Sequence, residues 1–293
     1  MTLPPPAQGP APGPSTAPVP RIALRGGGTV PQIGAGTYKI PPERTRDIVR
    51  DALDVGYRHV DTAEMYGNER EVGEAVRASG LDRADVFVTS KLDNPYLEPD
   101  DARAAFERTL ADLDLGYVDL FLVHWPLPTV SDYVARWRVL EEAYASGRAK
   151  AIGVSNFTVR HLERLLAEAD VPPAVNQIEV QPYLVQDELR SFHARHGIVT
   201  EAWSPLARGQ VLDDPVVVQV AASHGRTPAQ VVVRWHLQRG DVVIPKASSR
   251  DRLAENADVL DFTLGEHEMA AITGLDAGRR TGTADPETFT GGH

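Results

Sequence analysis

The chain has 293 residues, 42% hydrophobic and 24% charged, the balance of a soluble globular protein long enough to bury a large core as one big domain or two ordinary ones. Its formal net charge of −11 argues against nucleic acid as a partner and obliges any anionic ligand to meet a local basic pocket. The absence of cysteine excludes disulfides, thiolate metal sites and cysteine nucleophiles, and no apolar run approaches the roughly 18 residues of a membrane helix, so a cytoplasmic setting is expected.

The first 20 residues, MTLPPPAQGPAPGPSTAPVP, are too rich in proline, glycine and alanine to bury apolar surface, and an unfolded tail is expected there. A proline-rich recognition segment is the sharper alternative. Residues 21–293 are expected to form one domain. RIALRGGGTVPQIG predicts a short hairpin turning at Gly26–Gly28. A helix follows from about Glu43 to Val55, stopped by Gly56. Short apolar runs then alternate with amphipathic ones. HVDTA, VFVTSK, VDLFLVHW, AKAIGVS, AVNQIEV, GIVTEAW and DVVIPK have the character of buried strands. DARAAFERTLADLD, YVARWRVLEEAYASG, VRHLERLLAEA and PAQVVVRWHLQRG have that of helices. With IGAGT as the first strand there are about eight strand–helix units, which predicts an α/β fold of the (β/α)8 TIM-barrel type. The rival doubly wound sheet would need G-x-G-x-x-G at its first turn; the chain offers only GAG at 34–36.

A barrel places functional residues at the C-terminal ends of its strands. Asp61, Lys91, His124, Asn156, Gln177, Trp203 and Lys246 all stand at such ends. Taken singly they have bland explanations: a helix cap, a solvated lysine, a core histidine, with Tyr66 a packed loop aromatic. Taken together they fit carbonyl reduction. A tyrosine can protonate the oxygen, a buried ammonium beside it makes it more acidic, a carboxylate keeps that ammonium charged, and an imidazole orients the carbonyl. Tyr66, Lys91, Asp61 and His124 supply those parts.

These segments resemble the aldo-keto reductase family, bacterial members similar to diketogluconate reductases above all. The resemblance rests on GYRHVDTAEMYGNEREVGEA, VTSK, LVHWP, IGVSNF, NQIE, AWSPL and IPKASSRDRLAEN, and runs through nearly the whole chain after the tail. It implies that Tyr66 is the general acid, that Lys91 and Asp61 tune it, and that His124 orients the substrate. It implies NADPH lying extended across the barrel mouth. Trp203 would stack on the nicotinamide, and Ser155, Asn156 and Gln177 would bind its carboxamide. Leu206 and its neighbours would cover the pyrophosphate, with Thr37, Ser204 and Ile244 also in the cofactor site.

At the adenosine end, Lys246 and Ser248 precede a helix on which Arg252, Glu255 and Asn256 share a face, an arrangement suited to phosphate. Ala247 and Ser249 stand where the family often has serine and arginine, which implies a looser grip on the 2′-phosphate. Tyr38, Met65 and Trp125 match apolar substrate positions. Asp93 stands where relatives commonly carry tryptophan, and the C-terminal segment GRRTGTADPETFTGGH is expected to close over the mouth. A monomer acting on a small carbonyl compound, without metal, nucleic acid or membrane, is expected. Two alternatives are a nicotinamide-binding accessory subunit of the same fold and a lyase using Lys91 as a Schiff-base amine.

Overall fold

A computed structural model of the chain describes residues 19–291. Most of the expected tail, residues 1–18, lies outside the described residues. Its last two residues belong to the fold: the Pro20 carbonyl accepts a hydrogen bond from Gln32 N at 2.8 Å, and Val19 packs on the core.

A hairpin comes first, β1 (Arg21–Ala23) against β2 (Thr29–Pro31), antiparallel and turning through Gly26, Gly27 and Gly28, all at positive φ. Only glycine adopts three such conformations in succession at low cost. Leu24 and Val30 of this hairpin join a buried cluster with Phe87, Val175, Val199 and Val242, which begin their strands or lie at the start of them. The hairpin therefore stoppers the N-terminal end of the barrel and leaves the opposite end as the mouth.

The barrel follows as strands alternating with helices, two helices standing before the last strand. β3 (Ala35–Gly36), α1 (Pro42–Val55), β4 (His59–Asp61), α2 (Glu69–Ala78), β5 (Phe87–Leu92), α3 (Pro99–Leu113), β6 (Val118–Val123) and α4 (Tyr133–Ala145) form the first half. β7 (Ala149–Ser155), α5 (Val159–Glu168), β8 (Val175–Glu179), α6 (Asp187–His196), β9 (Val199–Trp203), α7 (Pro215–His224), α8 (Pro228–Gln238) and β10 (Val242–Val243) form the second. α9 (Arg250–Ala257) and α10 (Glu266–Thr273) close the chain. β3 to β10 pair in order, each parallel to the next. Parallel bridges Ile33–Val243 and Gly36–Lys246 join the last strand to the first, so the sheet closes on itself as a (β/α)8 ring.

The local rules behind this are ordinary. α1 starts at Pro42, where a missing N–H costs nothing, and ends at Gly56, whose φ of 117° lets its N–H reach the carbonyls of Ala52 and Leu53. α8 starts with a reciprocal cap between Thr227 and Gln230. Gly73 of α2 meets α3 so closely that a Cβ there would lie 1.9 Å from the Leu113 carbonyl oxygen. Two features differ from the expected elements. The strand DVVIPK shrinks to Val242–Val243, because Pro245 has no N–H to give the ladder. An additional helix, α7, precedes α8, capped by the Asp214 side chain on Val216 N.

Candidate active site at the barrel mouth

Strands β4 and β5 bring Asp61 and Lys91 side by side. The Lys91 ammonium, fully buried, donates to both Asp61 carboxylate oxygens and to the Thr62 carbonyl, each at 2.8 Å. All three of its donors are therefore used. Burial works against the ammonium, but Asp61 and the neighbouring Tyr66 and Glu201 outweigh it and hold the lysine above its usual range. An ion pair this deep survives only with every donor satisfied.

Tyr66 reaches the same point from the 3-10 turn Glu64–Tyr66, which follows β4 and is closed by Gly67 at positive φ. The Lys91 nitrogen lies 5.1 Å from the centre of its ring, and the His124 ring, just past β6, meets it edge-on at 6.0 Å. Four side chains from three successive strand ends thus converge, as the strand-end reading expects. Their electrostatics depart from it in one respect. Burial pushes the Tyr66 phenol up to about 12, and Lys91 only opposes that rise. The phenol is protonated at neutral pH, and the ammonium beside it is the group that favours its phenolate form.

The far wall comes from β7, β8 and β9. Asn156 adopts a left-handed conformation at φ 63° and is almost fully hydrogen-bonded. Its amide nitrogen donates to the His124 carbonyl (3.1 Å) and to Ser155 Oγ (3.0 Å), and its oxygen accepts from Trp203 Nε1 (2.9 Å). The indole is therefore fixed by its edge, with the half-buried ring lining the cleft. Ser155 Oγ donates to the Gln177 carbonyl (2.9 Å). Gln177 Nε2 donates to Asp61 Oδ2 at 2.8 Å, a link across the barrel that sequence separation conceals.

One cleft is lined by Asp61, Tyr66, His124, Ser155, Asn156, Gln177, Trp203, Ser204, Ile244 and Lys246, together with Tyr38, Met65 and Trp125, which the sequence assigns to the substrate. Gly36 and Arg208 also line it. Arg208 was signalled only by its place in the LARGQ segment. Ser204, Ala207 and Arg208 all have positive φ, a run of strained non-glycine residues of the kind that clusters where a loop is shaped for a ligand.

Other expected residues stand away from the cleft wall. Thr37 is buried behind Asp61, giving its hydroxyl and its N–H to the Asp61 carbonyl at 3.0 and 2.9 Å. Leu206 packs between two core clusters. Ser248 and Arg252 are exposed beside the start of α9, Glu255 is half-buried and Asn256 buried on that helix. Arg250, next door, pairs with Asp51 and Asp54, whereas among the described residues Arg252 and Lys246 have no acidic partner. Asp93 does not line the cleft. It is buried, accepts a bond from Asn94 N at 2.6 Å, and acts electrostatically on buried Arg136, which donates to the Trp125 carbonyl at 3.1 Å. The C-terminal segment does reach the mouth: Phe289 packs on Trp125 with ring centres 4.5 Å apart.

The chain is similar to known proteins over nearly all of its described length. Residues 28–277 match the model of the aldo/keto reductase family. An aldo-keto reductase of Mycolicibacterium smegmatis is 46% identical over 270 residues, covering 92% of this chain and 98% of the relative. Methylglyoxal reductase DkgA of Escherichia coli is 44% identical over 273 residues, with the same coverage of 92% and 98%. Among solved structures, an aldo/keto reductase from Brucella melitensis superposes with a TM-score of 0.85 at 45% identity, covering 88% of this chain and 100% of the other. A variant of Gox0644 in complex with NADPH superposes with a TM-score of 0.89 at 44% identity, covering 93% and 99%.

Proposed function

Since the chain belongs to the aldo/keto reductase family, we propose that it reduces an aldehyde or ketone to the alcohol with NADPH, Tyr66 supplying the proton. The observation that carries the reading is the buried junction of Lys91, Asp61 and Tyr66 opening on a cleft walled by Trp203.

The cleft suits a dinucleotide. The edge-held indole of Trp203 offers a flat face to a flat ring, and Ser155, Asn156 and Gln177 present amide and hydroxyl groups beside it. Lys246 and Arg252, without acidic partners among the described residues, are suited to phosphate on an otherwise acidic protein. When bound, the reduced nicotinamide supplies a hydride to the carbonyl carbon. The chain's own residues do the rest. His124 orients the carbonyl oxygen, Tyr66 gives that oxygen its proton, and the Lys91 charge stabilises the phenolate that results. Asp61 and Thr62 keep Lys91 charged and in place. Met65, Tyr38 and Trp125 exclude water from the reacting carbon.

A Schiff-base role for Lys91 is disfavoured, because its three donors are taken and its charge is stabilised, whereas an amine nucleophile must be neutral. The name of the E. coli relative makes methylglyoxal the first substrate to try. Mixing protein with NADPH and a panel of aldehydes should consume the reduced cofactor. Tyr66→Phe should lower turnover by about 10²- to 10⁴-fold, the usual contribution of a general acid, while NADPH affinity stays near wild type. Cofactor binding without turnover of any aldehyde would favour the accessory-subunit reading. Retained turnover in Tyr66→Phe would place the acid elsewhere.

A further inference from the structure

Beneath the Lys91–Asp61 pair lies a second buried acid that the reaction as described leaves unused. Glu201 stands on β9, in register with Gln177 of β8 and Val242 of β10. It is wholly buried in the barrel, and neither carboxyl oxygen accepts a well-formed hydrogen bond among the described residues, the Gln177 amide being a neighbouring donor. His59 of β4 approaches it, with Nε2 3.6 Å from Oε1. The same Nε2 lies 3.0 Å from Thr89 Oγ1. Room for that imidazole comes from Gly34, where a Cβ would fall 2.7 Å from His59 Nδ1.

The groups facing Glu201 from the surrounding strands are His59 and Asp61 on β4, Lys91 on β5 and Gln177 on β8. None of them neutralises a carboxylate there. Lys91 spends all three donors on Asp61 and Thr62, and Gln177 gives its amide to Asp61. Burial holds His59 neutral, down to about 3. An ionised carboxylate in this layer, close to the Asp61 charge, is costly, and the protonated acid is the stable form. Burial and Asp61 together push the Glu201 carboxyl up to about 8, against the pull of Lys91 and of the Gln177 amide.

We propose that Glu201 is a positioning residue of the carbonyl reduction: kept neutral beneath Lys91, it leaves the lysine charge available to the phenolate forming at Tyr66, and on ionising it cancels that charge and slows proton donation. The inference rests on the Tyr66 reading given above. The proton on Glu201 is not the one delivered to substrate. It leaves for solvent as pH rises, adding one negative charge next to an ion pair that was balanced. Its effect is therefore on the alkaline limb of the reduction.

The test is the pH dependence of kcat with NADPH and the best aldehyde of the panel, for wild type, Glu201→Gln and Tyr66→Phe. Wild type should lose turnover along a limb centred near 8. Glu201→Gln, neutral at every pH, should carry that limb upward by about one unit or more. Superimposed limbs in a folded Glu201→Gln protein overturn the proposal. Turnover retained in Tyr66→Phe overturns the Tyr66 reading instead, so the two failures are distinct. Should Glu201→Gln not fold, infrared difference spectra of Glu69→Gln protein, from about pH 6 to about pH 10, ask the same question without activity. That background removes the other strongly shifted buried carboxyl. A protonated-carboxyl band that persists at neutral pH and fades across the mildly alkaline range supports the proposal; no such band at neutral pH overturns it.

Discussion

The two ends of the barrel mouth are built on opposite principles. At the Tyr66 end the chain itself answers Lys91 with Asp61 and Thr62, Asp61 also with Gln177, and Trp203 and the His124 carbonyl with Asn156. At the α9 end Lys246 and Arg252 are exposed and have no acidic partner among the described residues. The first end is organised before any ligand arrives, as chemistry requires, because groups already fixed need no reorganisation in the transition state. The second holds its charges open, which on the NADPH reading proposed above leaves them to a ligand phosphate.

The contrast predicts that damage at the Tyr66 end is structural as well as catalytic. Lys91→Met should be the most severe change, leaving Asp61 buried with an uncompensated charge. A loss of about 3–5 kcal/mol in stability is expected, on the scale of a broken buried pair, together with near-complete loss of turnover. Chemical denaturation would measure it, and a variant as stable as wild type would show that Asp61 simply takes up a proton.

A second, milder probe lies behind the same wall. Glu69 of α2 accepts hydroxyl bonds from Ser90, next to Lys91, and from Thr109. Burial raises its carboxyl from 4.5 to about 7, the hydroxyl bonds opposing. A carboxyl raised on folding holds its proton longer in the folded state. Its stabilising contribution is full below the unfolded value and is lost as pH rises through about 7. Glu69→Gln should abolish that decline, a difference of roughly 2–3 kcal/mol between acid and mildly alkaline pH at about 1.4 kcal/mol per unit. Parallel stability curves for the two proteins from about pH 5 to about pH 9 would remove Glu69 as the titrating group.

The smallest effect should come from the open end. Arg252→Ala removes an exposed side chain with no acidic partner among the described residues, so the melting temperature should stay put. NADPH affinity should fall about tenfold to a hundredfold, the value of one charge-assisted bond, and NADH affinity should hardly change. Equal losses for both cofactors, measured by quenching of tryptophan fluorescence, would place Arg252 away from the 2′-phosphate.

Much of this was legible because a barrel converts strand ends into neighbours. Once the alternation of runs is recognised, HVD, VTSK and LVH must share one mouth, and Asp61, Lys91 and His124 do. Strand period and turn residues are local, and local signals survive in the sequence. The α7 helix was less visible, and Pro245 shortened a strand whose apolar run continues past it.

By itself, then, the sequence determined the ring of eight units, the polar residues at its mouth and the cations before and on α9. Only the tertiary structure decided what those residues touch. It turned Asp93 away from the cleft, brought Arg208 and Gly36 into its lining, gave the Gln177 amide to Asp61 from 116 residues away, and set buried Glu201 between His59 and Lys91. The physical reason is that side-chain pairing across a closed barrel depends on strand register and tilt. Those are fixed by packing the whole ring, and no stretch of neighbouring residues encodes them.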